Sequence, residues 1–157
     1  MGVISFGTGN LVARNLGIPL GDLAAAVDVA VEGADLVIDV GRIEPAGAQG
    51  RQERFAVMAG VGMDAAIMRD AAEAVKSRVG WPAYVLSAVK HLRRPGVQLQ
   101  VVIDGGRPYR TRAQTVIVGN MGRLQGGVQL LQDAVPDDRL LDIAVVSSQG
   151  WPIAAGS

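Results

Sequence analysis

The chain of 157 residues contains no cysteine, a single histidine and no excess of charge, Lys and Arg together matching Asp and Glu at 15 each. Without cysteine there is neither a disulfide nor a thiolate-ligated metal, a composition that fits a reducing compartment. Charge balance leaves no long-range field to gather nucleic acid or an anionic bilayer, so any contact with lipid has to be local. No uninterrupted apolar span is long enough to cross a membrane, and no charged region followed by an apolar stretch marks a leader. The expectation is a soluble, cytoplasmic chain that can lie at the periphery of a membrane, with no nucleic-acid partner. There is no internal repeat and no low-complexity tract. What the chain does have is 49% hydrophobic residues in a length that suits one domain-sized core.

The most informative stretch runs from Phe6 to Pro19 and reads Phe-Gly-Thr-Gly-Asn-Leu-Val-Ala-Arg-Asn-Leu-Gly-Ile-Pro. Gly7 and Gly9 permit positive φ and let backbone N–H groups approach an oxyanion, and Thr8 adds a hydroxyl beside them. Asn10 is placed to cap the short helix that follows, whose free N–H groups favour phosphate. Gly17 and Pro19 end that helix. A plain strand-to-helix turn with no ligand explains the same residues, and this stretch alone does not separate the two. Ahead of it, Val3, Ile4 and Ser5 read as the tail of an apolar strand, so that Met1 falls inside a strand and the chain is expected to be a piece of a larger protein.

Residues 23–31 are rich in alanine and valine and predict a second helix, started near Gly21 and Asp22 and ended at Gly33. Residues 34–40 read as a strand through Leu36, Val37, Ile38 and Val40, and a polar connection with Pro45, Gly47 and Gly50 leads to another strand over 55–59. A helix over residues 82–93 carries Val85, Val89 and Leu92 on one stripe and Ser87, Lys90, His91 and Arg94 on the other. The lone His91 thus reads as solvent-facing, and nothing supports a catalytic triad. Val97, Leu99, Val101 and Ile103 alternate with Gln98 and Gln100, and Asp104-Gly105-Gly106 supplies a turn before residues 109–118, predicting two antiparallel strands. A last strand covers 141–146. Lys90, Arg93, Arg94, Arg107, Arg110 and Arg112 suit anionic headgroups but read more simply as a solvated face.

Several segments resemble the diacylglycerol kinase catalytic family, which includes bacterial lipid kinases, sphingosine kinases and ceramide kinases. Phe6 to Pro19 is similar to its Gly-Thr-Gly-Asn segment, and Phe55 to Ala65 to its Gly-x-Gly-x-Asp segment, with Lys76, Gly80, Ala83 and Tyr84 following in family-like order. Val118-Gly119-Asn120-Met121 with Gly126-Gly127 resembles the family's Asn-and-double-glycine strand, and residues 133–142 its acidic loop. The order of these segments is the family's, and together they cover nearly the whole chain.

This resemblance implies an α+β fold: a partial antiparallel β-sandwich with two helices over residues 33–157, preceded over 1–32 by the remnant of an α/β nucleotide-binding domain. It implies transfer of the ATP γ-phosphate to the hydroxyl of a diacylglycerol-like lipid at a membrane surface. Gly7, Thr8, Gly9 and Asn10 then belong to the nucleotide side. Mg2+ is implied at the acidic loop, held by the Asp138 carboxylate and the carbonyls of Val135 and Leu140, a sparse oxygen set that suits a hard cation. Asp64 either accepts a hydrogen bond from the substrate hydroxyl or caps a helix. The family's Gly-Asp-Gly-Thr loop is expected upstream of Met1 and its general base beyond Ser157, so the isolated chain is expected to be inactive, to expose a sheet edge and to self-associate. Arg139 departs from the usual glycine and disfavours a left-handed backbone; Gln132 replaces a usual proline. Two rivals remain. Gly7-x-Gly9-x-x-x-Ala13 also fits a loosened dinucleotide fingerprint, which would make this an oxidoreductase fragment with Asp39 near a ribose. Alternatively the chain is a noncatalytic remnant that binds a partner through its sheet.

Overall fold

The computed structural model describes residues 1–7, 9–44, 46–47, 50, 52–62, 96–127, 129–147 and 153–154. The predicted helix over 82–93, with His91, Lys90, Arg93 and Arg94, lies outside them, as do Thr8, Asp64, Lys76, Gly80, Ala83 and Tyr84. The chain divides into two compact units, one made of Met1–Met58 and Gly119–Leu141, the other of Ala59–Val118 and Asp142–Ser157.

In the first unit, helix α1 spans Leu11–Asn15 and α2 spans Leu23–Glu32. Leu16 is the C-cap of α1 and Gly17, at φ 70, follows it in the left-handed conformation; the Ile18 N–H returns to the Ala13 carbonyl at 2.8 Å. That is the six-residue closure of a Schellman motif, and it explains why glycine stands there. Asp22 caps α2 by accepting from the Ala25 N–H at 3.0 Å, and Gly33 closes it, as the sequence predicts. Residues 1–6 form no strand. Gly2 instead comes so close to α2 that a Cβ there would stand 2.7 Å from that of Ala30.

The strand expected over 34–40 is also absent. Leu36, Val37 and Val40 are more than half exposed, and the ladder begins only at β1, Gly41–Ile43, which pairs antiparallel with β2, Glu53–Phe55. Gly41 lies opposite Phe55, whose ring occupies the space a side chain at 41 would need. Backbone groups just ahead of β1 are directed to a loop rather than a strand: the Asp39 N–H donates to the Pro136 carbonyl at 2.7 Å. Buried Ala13, Ala26, Met121, Leu130 and Leu131 form the apolar interior of this unit, while Phe6, Val31 and Val37 are each more than three-quarters exposed.

The second unit contains a two-stranded ribbon and a four-stranded sheet. The ribbon pairs β4, Val97–Val101, with β5, Tyr109–Ala113, antiparallel, placing Gln98 opposite Arg112 and Gln100 opposite Arg110. Asp104 (φ 50) and Gly105 (φ 68) are both left-handed, and the Gly106 N–H bonds the Ile103 carbonyl at 2.8 Å, the turn chemistry the sequence predicts. The single strand expected over 109–118 is two, because Gln114 interrupts it and donates its N–H to the Val146 carbonyl at 2.8 Å. Strands β3 (Met58–Val61), β6 (Thr115–Gly119), β7 (Asp142–Val146) and β8 (Ile153–Ala154) follow in that order across the sheet, whose end residues Met58 and Gly119 belong to the first unit. Ile117, Ala144, Val145 and Val146 are buried along it. The result is α+β, with β7 and β8 antiparallel.

Two expectations follow from backbone geometry. A Cβ at Gly122 would lie 1.8 Å from the Leu131 carbonyl oxygen, so Gly122→Ala should lower the urea-unfolding free energy by about 1–3 kcal/mol. Arg139 has φ 66, the left-handed conformation that its side chain disfavours. Because strain relief outweighs the added freedom of the unfolded chain, Arg139→Gly should raise stability by about 0.5–1 kcal/mol in the same measurement.

Candidate functional site

The glycine loop at 7–10 is held by its own asparagine. Asn10 accepts from the Gly7 N–H through Oδ1 at 3.0 Å and donates to the Gly7 carbonyl through Nδ2 at 2.6 Å. Asn10 itself carries the positive φ, 46, and makes no side-chain cap to α1; neither Gly7 nor Gly9 is left-handed. The sequence-based roles are thus exchanged: the asparagine, which tolerates this conformation, turns the chain and bonds backward instead of forward. Gly9 has no packing duty among the described residues, since a Cβ there would meet none of them within 4 Å apart from its chain neighbours. Arg14 reaches back from α1, its Nε donating to the Gly9 carbonyl at 2.9 Å.

Helix α1 is tied to the segment after β6 by a reciprocal pair. Asn15 Nδ2 donates to the Arg123 carbonyl at 2.9 Å, and the Arg123 N–H donates to Asn15 Oδ1 at 3.0 Å, so one amide side chain plays the part of a strand neighbour. Between them lies a cleft of about 280 Å³ lined in part by Arg14, Gly17, Ile18, Arg123, Leu124 and Gly127. Neither arginine has a carboxylate partner among the described residues, where the single ion pair is the exposed Arg42 with Glu44 at 3.1 Å. The cleft is therefore cationic at two points and apolar elsewhere.

The acidic loop is shaped from both sides. Asp138 Oδ1 accepts from the Leu140 N–H at 2.9 Å, a local turn that holds the carboxylate over its own loop. The left-handed Arg139 directs its N–H to Asp39 Oδ2. Asp39, which the dinucleotide reading would place at a ribose, is thereby committed to the loop by its carboxylate, by its N–H to Pro136 and by its carbonyl to Asn120. Sequence reasoning missed this role; a lone aspartate after an apolar run carries no signal for it. Val135, Asp138 and Leu140 all lie on the exposed part of the loop. No group of three or more His, Cys, Asp or Glu side chains that could hold a metal occurs among the described residues. The oxygen donors named for Mg2+ are one carboxylate and two carbonyls, a set that fits a cation keeping most of its water.

Asn120 Nδ2 faces three carbonyls, those of Asp39 at 2.8 Å, Ala56 at 3.3 Å and Pro136 at 3.4 Å. Its main chain and that of Met121 both donate to the Val57 carbonyl, at 2.8 and 3.1 Å. Among the described residues no helix is long and apolar enough to cross a membrane.

Comparison with known proteins shows what the chain as a whole is similar to. The chain is 30% identical over 149 residues to a diacylglycerol kinase of Mycobacterium tuberculosis, covering 94% of this chain and 47% of that protein. It is 26% identical over 149 residues to a probable lipid kinase YegS-like of Klebsiella pneumoniae, covering 95% of this chain and 48% of that protein. A crystal structure of a diacylglycerol kinase from Bacillus anthracis matches with a TM-score of 0.67 at 28% identity, over 94% of this chain and 45% of that one. The chain thus spans about half the length of the relatives it matches. The model of the YegS C-terminal NAD kinase beta sandwich-like domain matches residues 56–151, and the chain belongs to that family.

Proposed function

We propose that this chain is part of an ATP-dependent lipid kinase that transfers the γ-phosphate to a lipid hydroxyl of the diacylglycerol type, working at a membrane surface from the cytoplasmic side. Residues 1–32 correspond on this reading to its nucleotide-binding half and residues 33–157 to an incomplete sandwich half. The observation that carries the proposal is the empty space above Gly9, where a Cβ would meet nothing within 4 Å among the described residues apart from its chain neighbours. A glycine that packs against nothing and is not left-handed is best explained by a ligand that comes close to its backbone, and Arg14, bonded to the Gly9 carbonyl, brings a guanidinium to the same loop.

Phosphoryl transfer asks little covalent chemistry of a protein and much positioning and charge stabilisation. Gly7, Gly9 and the Asn10 amide shape the loop for the phosphates, with Thr8 beside them. Arg14 and Arg123 supply positive charge at the adjoining cleft. Asp138, with the carbonyls of Val135 and Leu140, would hold Mg2+, which when bound spreads the charge that develops on transfer. Arg139 beside this set reduces the attraction for a cation. The kinase names of the relatives this chain matches support the reading. Because the chain spans about half of those relatives, it holds part of the site rather than a complete catalyst.

Two measurements test this. Gly9→Ala should leave the melting temperature unchanged while weakening ATP binding about tenfold in ligand-observed NMR, since the added methyl meets phosphate rather than protein. Equal affinity in both proteins removes the nucleotide assignment. Calorimetric titration of Mg2+ should give a heat in the wild-type chain that Asp138→Ala lacks, and equal binding in the two rejects the acidic loop as the cation site.

A further inference from the structure

Asn120 is fully enclosed, with 0% of its surface exposed, and its amide is aimed at backbone from three separate segments. Asp39 precedes β1, Ala56 follows β2 and Pro136 belongs to the acidic loop. A carbonyl that loses its donor on leaving water is unfavourable, and here two amide hydrogens are shared among three oxygens, of which that of Pro136 also accepts the Asp39 N–H at 2.7 Å. The orientation is fixed by the same contacts, because a flipped amide would set oxygen against three oxygens. Its remaining atom, Oδ1, is buried with no partner among the described residues. The side chain therefore keeps an unfavourable acceptor in order to hold what its nitrogen holds.

We infer that Asn120 is the positioning residue of the acidic loop: it fixes Pro136 and Asp39 against each other, and Asp39 in turn fixes Arg139 and the turn that carries Asp138. The chain of contacts is continuous. Asn120 bonds the Asp39 and Pro136 carbonyls, the Asp39 N–H bonds that same Pro136 carbonyl, and the Asp39 carboxylate receives the Arg139 N–H next to Asp138. Nothing in this placement depends on a ligand; that it serves cation binding rests on the function proposed above.

The test is amide hydrogen exchange of the 157-residue chain, read at the Asp39 and Arg139 N–H groups in wild type, Asn120→Leu and Asn120→Ser. Thr115→Val is the control, since buried Thr115 donates to the Val61 carbonyl at 2.9 Å within the other unit and its loss destabilises without touching the loop. Exchange at both amides should accelerate about tenfold or more in Asn120→Leu, less in Asn120→Ser, and not at all in Thr115→Val. Asn120→Ser carries the comparison if the leucine variant does not fold. Unchanged protection in the Asn120 variants, or equal acceleration in Thr115→Val, overturns the inference. A Mg2+ titration of the same proteins, followed at the Leu140 amide, should show weaker binding in the Asn120 variants alone. Absence of any response in wild type rejects the cation site, while the exchange rates still decide the positioning.

Discussion

A primary amide sealed away from water is tolerated only where its hydrogens find oxygen, and the arrangement around Asn120 depends on that constraint. Each hydrogen bond contributes on the order of 1 kcal/mol net, whereas each carbonyl left bare inside the protein costs about 1–3 kcal/mol. Without the Asn120 nitrogen the Asp39 and Ala56 carbonyls would lose that donor outright, while the Pro136 carbonyl would keep only the Asp39 N–H. The close approach of Gly119 and Gly122 to Leu131 brings the same stretch of chain into the apolar interior. Polar satisfaction and tight packing thus act on one short segment, and the acidic loop inherits its shape from both.

Regular elements with local punctuation were legible in the sequence. Asp22 and Gly33 bound α2 because a carboxylate that satisfies a first-turn N–H and a residue that closes the last turn are purely local devices. The Asp104-Gly105 turn and the alternation through β4 were readable for the same reason. What escaped was set by distant partners. Residues 34–40 are apolar enough to be a strand, but hydropathy reports a tendency to be buried and not who supplies the hydrogen bonds. The Asp39 backbone bonds the acidic loop instead. Gln114 breaks a continuous β pattern because its N–H is claimed by Val146, which no window around residue 114 contains.

The candidate site shows the same division. Its segments were singled out by their resemblance to a kinase family, and the atoms inside them behave differently from the local reading. Asn10 was read as a helix cap and is a loop clasp; the glycines were read as permitting positive φ, and it is Asn10 that adopts it. At Arg139 the reverse holds. The sequence suggested that arginine would resist a left-handed backbone, and the structure holds it there, because its N–H is drawn to Asp39 from outside the turn. A long-range contact overrides a local preference of about 1–2 kcal/mol.

The order of residues through the two units has a topological outcome. β6 and β7 are neighbours in one sheet, but the chain from the last residue of β6, Gly119, to Leu141 belongs to the other unit. No single scission can therefore release either unit as a continuous polypeptide. An attempt to isolate the sheet would need Val118 rejoined to Asp142 by a short artificial bridge, and the excised piece would have to be regrafted onto residue 58. A simple end-to-end fusion of two coding segments does not produce this order of pieces.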